Sequence, residues 1–351
     1  MAGALEGITV VELASIGPGP FAAMMLADHG ARVIRVERPG VSIGGAFGRH
    51  DVMNRNREFI ELDLKSDDGM AKLRDLIGGA DALIEGFRPG VLERLGLAPD
   101  DLLAANPKLV IGRMTGWGQE GPLAPWAGHD INYIALSGAL HTYGRKGQKP
   151  TPPTNTVGDY GGGGMMMAFG ILAGILSAKQ TGKGQVVDCA MVDGAALLTT
   201  VIYTMQAVGM WQDERGVNLL DTGAPYYEVY ETADGKFVSV GPIERPFYNQ
   251  MLDVLGLSED PDFLERDDRE LWPAQKERLE AIFRTRTRDE WCELMEETDI
   301  CFAPVLSLAE APRHLHNVAR GTFLEVDGVT QPAPAPRFSA TPAPPVRMPK
   351  P

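Results

Sequence analysis

The stretch GITVVELASIGPGPFAAMMLADHGARVIRVERPG, residues 7–40, decides the fold. Ile8–Leu13 is a β-branched run that predicts a strand, Gly17-Pro18-Gly19-Pro20 is a turn signal, and Phe21–Asp28 is apolar at helical spacing. Ala31–Val36 then reads as a second strand. A strand, a helix and a strand in so short a span make a crossover unit, and such units are right-handed and join parallel strands. The alternation continues outward, with a helix near Asp67–Ile77, a strand at Ala82–Glu85, a helix near Asp100–Ala105 and a strand at Leu109–Arg113. The fold class is therefore α/β, and the N-terminal half is expected to be a Rossmann-like, doubly wound parallel sheet.

Beyond this half, Gly158 begins GDYGGGGMMMAFGILAGILSA, whose later part is apolar all round, as in a buried helix. Gln185–Cys189 reads as another strand and Ala190–Trp211 as one long helix. The pattern changes at Tyr226–Thr232 and Phe237–Val240, strand-like runs around the hairpin signal Ala233-Asp234-Gly235-Lys236. Charged amphipathic stretches follow at Arg245–Leu255, Trp272–Arg284 and Asp289–Glu297, so a small α+β domain is expected. A strand pattern returns at Cys301–Leu306, and the proline-rich tail from Gln331 reads as extended over the surface. The expected division is a large domain over 1–188, a linking helix and connection over 189–222, a small domain over 223–300, and a return to the large domain with the tail over 301–351.

Composition narrows the function classes. Of 351 residues 44% are hydrophobic and 23% charged, enough to build a large core. A net charge of −14 disfavours nucleic acid and anionic membranes as partners, so an anionic ligand needs a local basic patch. No run approaches the roughly 18 to 20 uninterrupted apolar residues of a membrane span, and the N-terminus lacks a basic signal-peptide region, so a cytoplasmic location is expected. Cys189, Cys292 and Cys301 have no CxxC spacing and no histidines to complete a metal site, so buried thiols and no metal are expected. GPGP is not GxGxxG, and its prolines remove amide donors that a pyrophosphate would need; NAD and FAD are rejected.

Two residues stand out as chemistry. His129, in Gly128-His129-Asp130-Ile131-Asn132-Tyr133, sits at a loop-to-helix junction, where capping by His129 or Asp130 is the plainer role. Asp159 precedes Gly161–Gly164, four glycines whose conformational cost at the start of a helix needs a reason. Either a ligand approaches the backbone there, with the helix amides stabilising an enolate and Asp159 acting as a base, or the helix packs tightly on the sheet. Arg35, Arg38, Arg55, Arg57, Lys65 and Arg88 lie at or beyond strand ends, the edge where doubly wound sheets bind ligands, and suit a polyphosphate. For any one of them a surface ion pair is the plainer role. Met165–Met167, Met191, Met205 and Met210 could line a forgiving acyl surface, although core filling explains most of them.

Together, residues 7–40, NRNREFIELDLKS, DALIEGFRPGVLERLGL, MTGWGQEGP, AGHDINY, VGDYGGGG, GKGQVVDCAMVDG and APYYEVYETADGKFVSVG followed by PIERPFY resemble the type III CoA-transferase and α-methylacyl-CoA racemase family, especially its bacterial racemases. The resemblance implies a Rossmann-like large domain and a small domain in an interlocked homodimer, with a site between the large domain of one subunit and the small domain of the other. It implies that His129 and Asp159 face opposite sides of the α-carbon of a 2-methylacyl-CoA thioester and invert it through an enolate, and that Glu244 orients His129. Arg38, Lys65 and Arg88 are implied as CoA contacts, followed by Ile16, Leu64 and Arg94. No cofactor is implied beyond the CoA of the substrate: no NAD, PLP or metal. Two competitors stand beside it. One is a CoA transferase with Asp159 as nucleophile, which would not need His129. The other is a CoA-binding regulatory protein, which would need neither base. A departure from the family is the C-terminus, PPVRMPKP, which lacks the further helical segment usual in relatives.

Overall fold

The computed structural model describes residues 3–41 and 45–349. The chain divides into two units: unit one is Met1–Ala139, Pro152–Thr200 and Ala319–Pro351, and unit two is Leu140–Thr151 and Val201–Val318.

Unit one is built on a six-stranded sheet of β1 (Thr9–Leu13), β2 (Arg32–Glu37), β3 (Glu58–Glu61), β4 (Ala82–Glu85), β5 (Val110–Thr115) and β6 (Gln185–Ala190), all pairs parallel, in the order β3-β2-β1-β4-β5-β6. Its helices are α1 (Pro18–Asp28), α2 (Asp67–Gly78), α3 (Val91–Arg94), α4 (Pro99–Ala105), α5 (Asp130–Leu136), α6 (Met166–Thr181) and α7 (Met191–Leu198). Successive strand side chains point to opposite faces, and the two cores follow that parity. Val10, Val33, Ala82, Ile84 and Val110 pack with Ala22, Ala23 and Leu26 of α1 and with Met167, Ile171 and Ile175 of α6. Val11, Leu13, Val36, Leu83 and Ile111 pack on the other face with Leu73 and Ile77 of α2 and Leu102 of α4. Burial on both faces is what a parallel sheet requires.

The sheet's charged residues also follow parity. Glu12 lies opposite Arg35, and Glu85 opposite Arg113, in parallel register, and each pair forms a buried salt bridge. Glu12 also binds Arg57, and Arg55 binds Asp28. Arg35, Arg55 and Arg57 are thus structural, which corrects the expectation that they serve a polyphosphate.

Other differences have local causes. Glu58–Glu61 is a strand that the sequence pattern does not announce, because EFIE sets only two apolar residues side by side between glutamates, at the sheet's edge. The long helix expected over 190–211 is two, α7 and α8 (Thr200–Ala207), separated at Thr199, whose hydroxyl donates to the Ala196 carbonyl (2.7 Å). A threonine that bonds back to the preceding turn weakens helix continuity. The segment after Asn155 opens with ten π-helical residues, Thr156–Met165, before α6 begins. Thr156–Thr181 is long and apolar enough to cross a membrane, and half of its most apolar window is buried within the protein. It is not apolar-buried all round: Phe169 and Leu176 of α6 are exposed.

Unit two holds an antiparallel sheet of β7 (Glu228–Glu231), β8 (Phe237–Val240) and β9 (Phe302–Pro304), with α9 (Arg245–Leu255) following β8. Its core is aromatic: Tyr226, Tyr230, Tyr248, Phe263, Trp272, Phe283 and Trp291, with Tyr230 stacked on Phe283 at 4.9 Å. The strand near Cys301 pairs with β8, so the chain rejoins unit one at Ala319 rather than at 301. The tail is extended but pinned: Asn56 N–H donates to the Arg347 carbonyl and Arg347 N–H to Asn56 Oδ1, both 2.8 Å, and Met348 is buried. Its last two residues lie outside those described. Of the thiols expected to be buried only Cys189 is, its pKa pushed up to about 12 by burial; Cys292 is half-buried and Cys301 exposed.

Candidate active site

In a parallel sheet of this order the sequence in which strands are added reverses between β1 and β4, and ligands bind in the crevice at the carboxyl ends there. The loops leaving β1, β4 and β5 do line one cavity of about 590 Å³. Ser15, Ile16, Gly17 and Pro18 come from the first loop, Gly86, Phe87, Arg88 and Pro89 from the second, and Gly116 and Trp117 from the third. His129, Tyr133, Asp159, Tyr160 and Met191 complete much of the wall.

The first loop is shaped by Gly17, the N-cap of α1, whose φ of 70° suits glycine, with Pro18 pre-set to start the helix. A Cβ on Gly17 would sit 3.4 Å from Asp159 Oδ2, so this glycine brings the backbone against the carboxylate.

His129 is the N-cap of α5, with extended backbone. Its backbone N–H donates to Asn132 Oδ1 (3.0 Å) and its carbonyl accepts the Asn132 N–H (2.8 Å), so main chain and Asn132 together start the helix. The residue is exposed and lines the cavity. Asp159 lies in the first turn of the π-helical segment, half-buried, and its Oδ2 accepts from Asn155 Nδ2 (3.1 Å). Burial holds the Asp159 carboxyl above the usual carboxylate range, the Asp130 charge adds to this, and the Asn155 bond and His129 act in the opposite direction. A carboxyl shifted upward is a better proton acceptor when ionised. The imidazole and the carboxyl thus share one cavity and one electrostatic environment.

Of the expected CoA contacts, Ile16 and Arg88 line this cavity, both exposed. Arg38 and Lys65 are exposed just past the carboxyl ends of β2 and β3, and Arg94 is exposed at the end of α3; none is among the lining residues. Leu64 packs against the core beside α2. Glu244 belongs to unit two, where it is the exposed N-cap of α9 with no side-chain capping bond.

The glycine run has the plainer explanation. A Cβ on Gly162 would lie 2.6 Å from the Ala195 nitrogen, and one on Gly194 only 1.9 Å from the Gly162 carbonyl; Gly163 and Gly164 meet Met191, Pro18 and Phe21. These residues let the π-helical segment, α7 and α1 pack backbone to backbone, and none of them lines the cavity. Likewise Met167 is core, and of the methionines named only Met191 lines the cavity.

Sequence reading missed Trp117, Tyr133 and Asp130. Trp117 and Tyr133 meet edge to face at 4.7 Å, and Gly116 and Gly128 make room for them: a Cβ at either would fall within 3 Å of the Tyr133 ring. The glycine flanking each of these motifs was the available signal. Trp117 Nε1 and Ser15 Oγ, on residues of the cavity wall, are buried atoms without a hydrogen-bond partner among the described residues. Asp130 is buried, and its Oδ2 accepts the Asp159 N–H (2.8 Å).

A parallel sheet that aims an imidazole, a carboxyl and an arginine at the same carboxyl-end cavity is equipped for acid–base chemistry on an anionic ligand. The family model for CoA-transferase family III matches residues 5–351, and the chain belongs to that enzyme family. It is 45% identical over 345 residues to alpha-methylacyl-CoA racemase from Homo sapiens, covering 97% of this chain and 88% of that one. It is 30% identical over 347 residues to acetyl-CoA:oxalate CoA-transferase from Acetobacter aceti, covering 94% and 88% respectively. A crystal structure of a CAIB/BAIF family protein from Brucella suis superposes with a TM-score of 0.84 at 25% identity, covering 100% of this chain and 97% of the other.

Proposed function

We propose that the protein interconverts (2R)- and (2S)-2-methylacyl-CoA thioesters by moving the proton at C2. The observation that carries this reading is that His129 and Asp159 line one cavity, at the edge where a doubly wound sheet binds ligands. Inversion of a carbon acid needs a base on each face: one removes the proton, an enolate forms, and the conjugate acid of the other returns a proton from the far side. Charge that develops on the thioester oxygen needs hydrogen-bond donors in the cavity wall. The reaction draws on the CoA of the substrate and no other cofactor, with Arg88 and Ile16 nearest the chemistry and Arg38, Lys65, Leu64 and Arg94 farther along the same edge.

We place Glu244 in this reading as the group that orients His129 and the active enzyme as a cytoplasmic homodimer. Large apolar side chains left exposed on unit one, Phe169 (69%), Leu176 (59%) and Leu197 (59%), support burial against a second copy. Light scattering on purified protein tests this, and a monomer at micromolar concentration contradicts it.

The competing reading is acyl transfer with Asp159 as nucleophile, favoured by the likeness to acetyl-CoA:oxalate CoA-transferase. His129 in the same cavity weighs toward the racemase, because transfer needs no second base. Chiral analysis of one 2-methylacyl-CoA enantiomer, with and without an acceptor carboxylic acid, separates the two. The proposed enzyme inverts C2 without the acceptor; inversion absent and CoA exchange present only with the acceptor contradicts it.

A further inference from the structure

We infer that Asp130 is a positioning residue that couples the two bases, carrying His129 on its own backbone and holding the Asp159 amide with its buried carboxyl. The inference rests on the racemase reading and adds to it the carboxyl of a residue that is not among those lining the cavity. Asp130 is 5% exposed, and its Oδ2 accepts the Asp159 N–H at 2.8 Å. An acidic residue at the start of a helix ordinarily favours the helix's own amides and dipole. Here the carboxyl reaches away from α5, to a residue 29 positions later in sequence.

The surroundings are cut to fit this bond. A Cβ on Gly158 would lie 2.5 Å from Asp130 Oδ2 and 2.9 Å from its Cγ, so the residue before Asp159 has to be a glycine for the carboxyl to reach the amide. The other oxygen, Oδ1, is buried with no hydrogen-bond partner among the described residues. A buried carboxyl held by one strong bond is costly to keep, and fixing the separation of two bases is a return that helix capping does not require. Because His129 precedes Asp130 in the chain, one short covalent link and one hydrogen bond set where both bases stand.

The same residue acts through charge. Asp130 pushes the Asp159 carboxyl upward, after burial, while the Asn155 bond and His129 pull it down; Tyr133 of α5, Arg88 of the β4 loop and Tyr160 are further titratable or charged groups at the same cavity. Removal of the Asp130 charge therefore weakens Asp159 as a base and leaves His129 chemistry less affected.

The test is Asp130→Asn in the full-length protein, an isostere whose carbonyl can still accept the amide, with hydrogen exchange at C2 followed separately for each enantiomer of a 2-methylacyl-CoA in heavy water. The enantiomer that still exchanges in His129→Ala is the one Asp159 deprotonates. Asp130→Asn is expected to lower exchange of that enantiomer about tenfold more than exchange of the other, and to move the acid limb of its pH profile to lower pH. Asp130→Ala, which also loses the acceptor, is expected to slow both enantiomers. Equal loss for both in Asp130→Asn with unmoved pH profiles, or no change in either, overturns the inference. Absence of exchange in the wild-type protein instead overturns the racemase reading itself.

Discussion

Two sets of charges lie a few residues apart in the same unit and do different work. Arg35 and Arg57 close on Glu12, and Arg55 on Asp28, in salt bridges whose side chains are almost wholly buried. Arg38, Lys65, Arg88 and Arg94 stand exposed beyond the strand ends, and of these Arg88 shares a cavity with His129 and Asp159. What separates Arg35 from Arg38 is position along β2, whereas Arg55 and Arg57 precede β3 and are held by Asp28 of α1 and Glu12 of β1. A cation paired across the sheet is spent on the fold, whereas one carried past the carboxyl end of a strand remains free to meet a ligand.

This contrast makes ordered predictions. His129→Ala and Asp159→Ala are expected to lower racemisation by about 10²- to 10⁴-fold each, the usual contribution of a positioned acid or base, with thermal unfolding nearly unchanged. A joint loss of folding in either variant would put that residue with the buried set. Arg57→Ala leaves Glu12 charged and short of a partner, and removing one member of a buried pair costs about 3 to 5 kcal/mol, read as a large fall in denaturant midpoint; a stable Arg57→Ala protein with weakened CoA binding would break the comparison. Arg88→Ala is expected to do the reverse, raising KM for acyl-CoA about tenfold, near the value of a charge-assisted hydrogen bond, without loss of stability.

The smallest effect concerns stability and pH. Burial raises the Asp159 pKa in the folded chain above its unfolded value of about 3.9. Keeping the group ionised therefore costs folding free energy, a cost absent below the unfolded pKa, growing as pH rises from the unfolded to the folded pKa, and constant above it. Asp159→Asn removes it, so its Tm is expected to exceed that of the wild type slightly near neutral pH and to converge with it under acid conditions. A lower Tm at neutral pH would mean that the ionised carboxylate is a stabilising partner.

Much of this was legible in the sequence because the period of apolar residues is set by the backbone itself. Ala82–Glu85, Phe237–Val240 and Arg245–Leu255 have the boundaries their patterns gave. Parity-dependent facts were not legible: whether Arg35 or Arg38 turns inward depends on Glu12 lying opposite Arg35, and that register exists only once β1 and β2 pair. The glycines at 161–164 were ambiguous for the same reason, since their neighbours, Ala195 and Gly194 among them, lie some thirty residues further along the chain. Asp130 looked like a helix cap because its partner, Asp159, is likewise distant in sequence. His129 and Asp159 could be named from their local motifs, but only the fold brings them to one cavity.

The decisive experiment incubates a single enantiomer of a 2-methylacyl-CoA with the protein in heavy water, without any acceptor acid, and follows deuterium at C2 together with configuration. A two-base racemase incorporates deuterium with inversion, and inversion is lost in both His129→Ala and Asp159→Ala. Inversion that persists at the wild-type rate in either variant, or a C2 centre that neither exchanges nor inverts in the wild type, would contradict it.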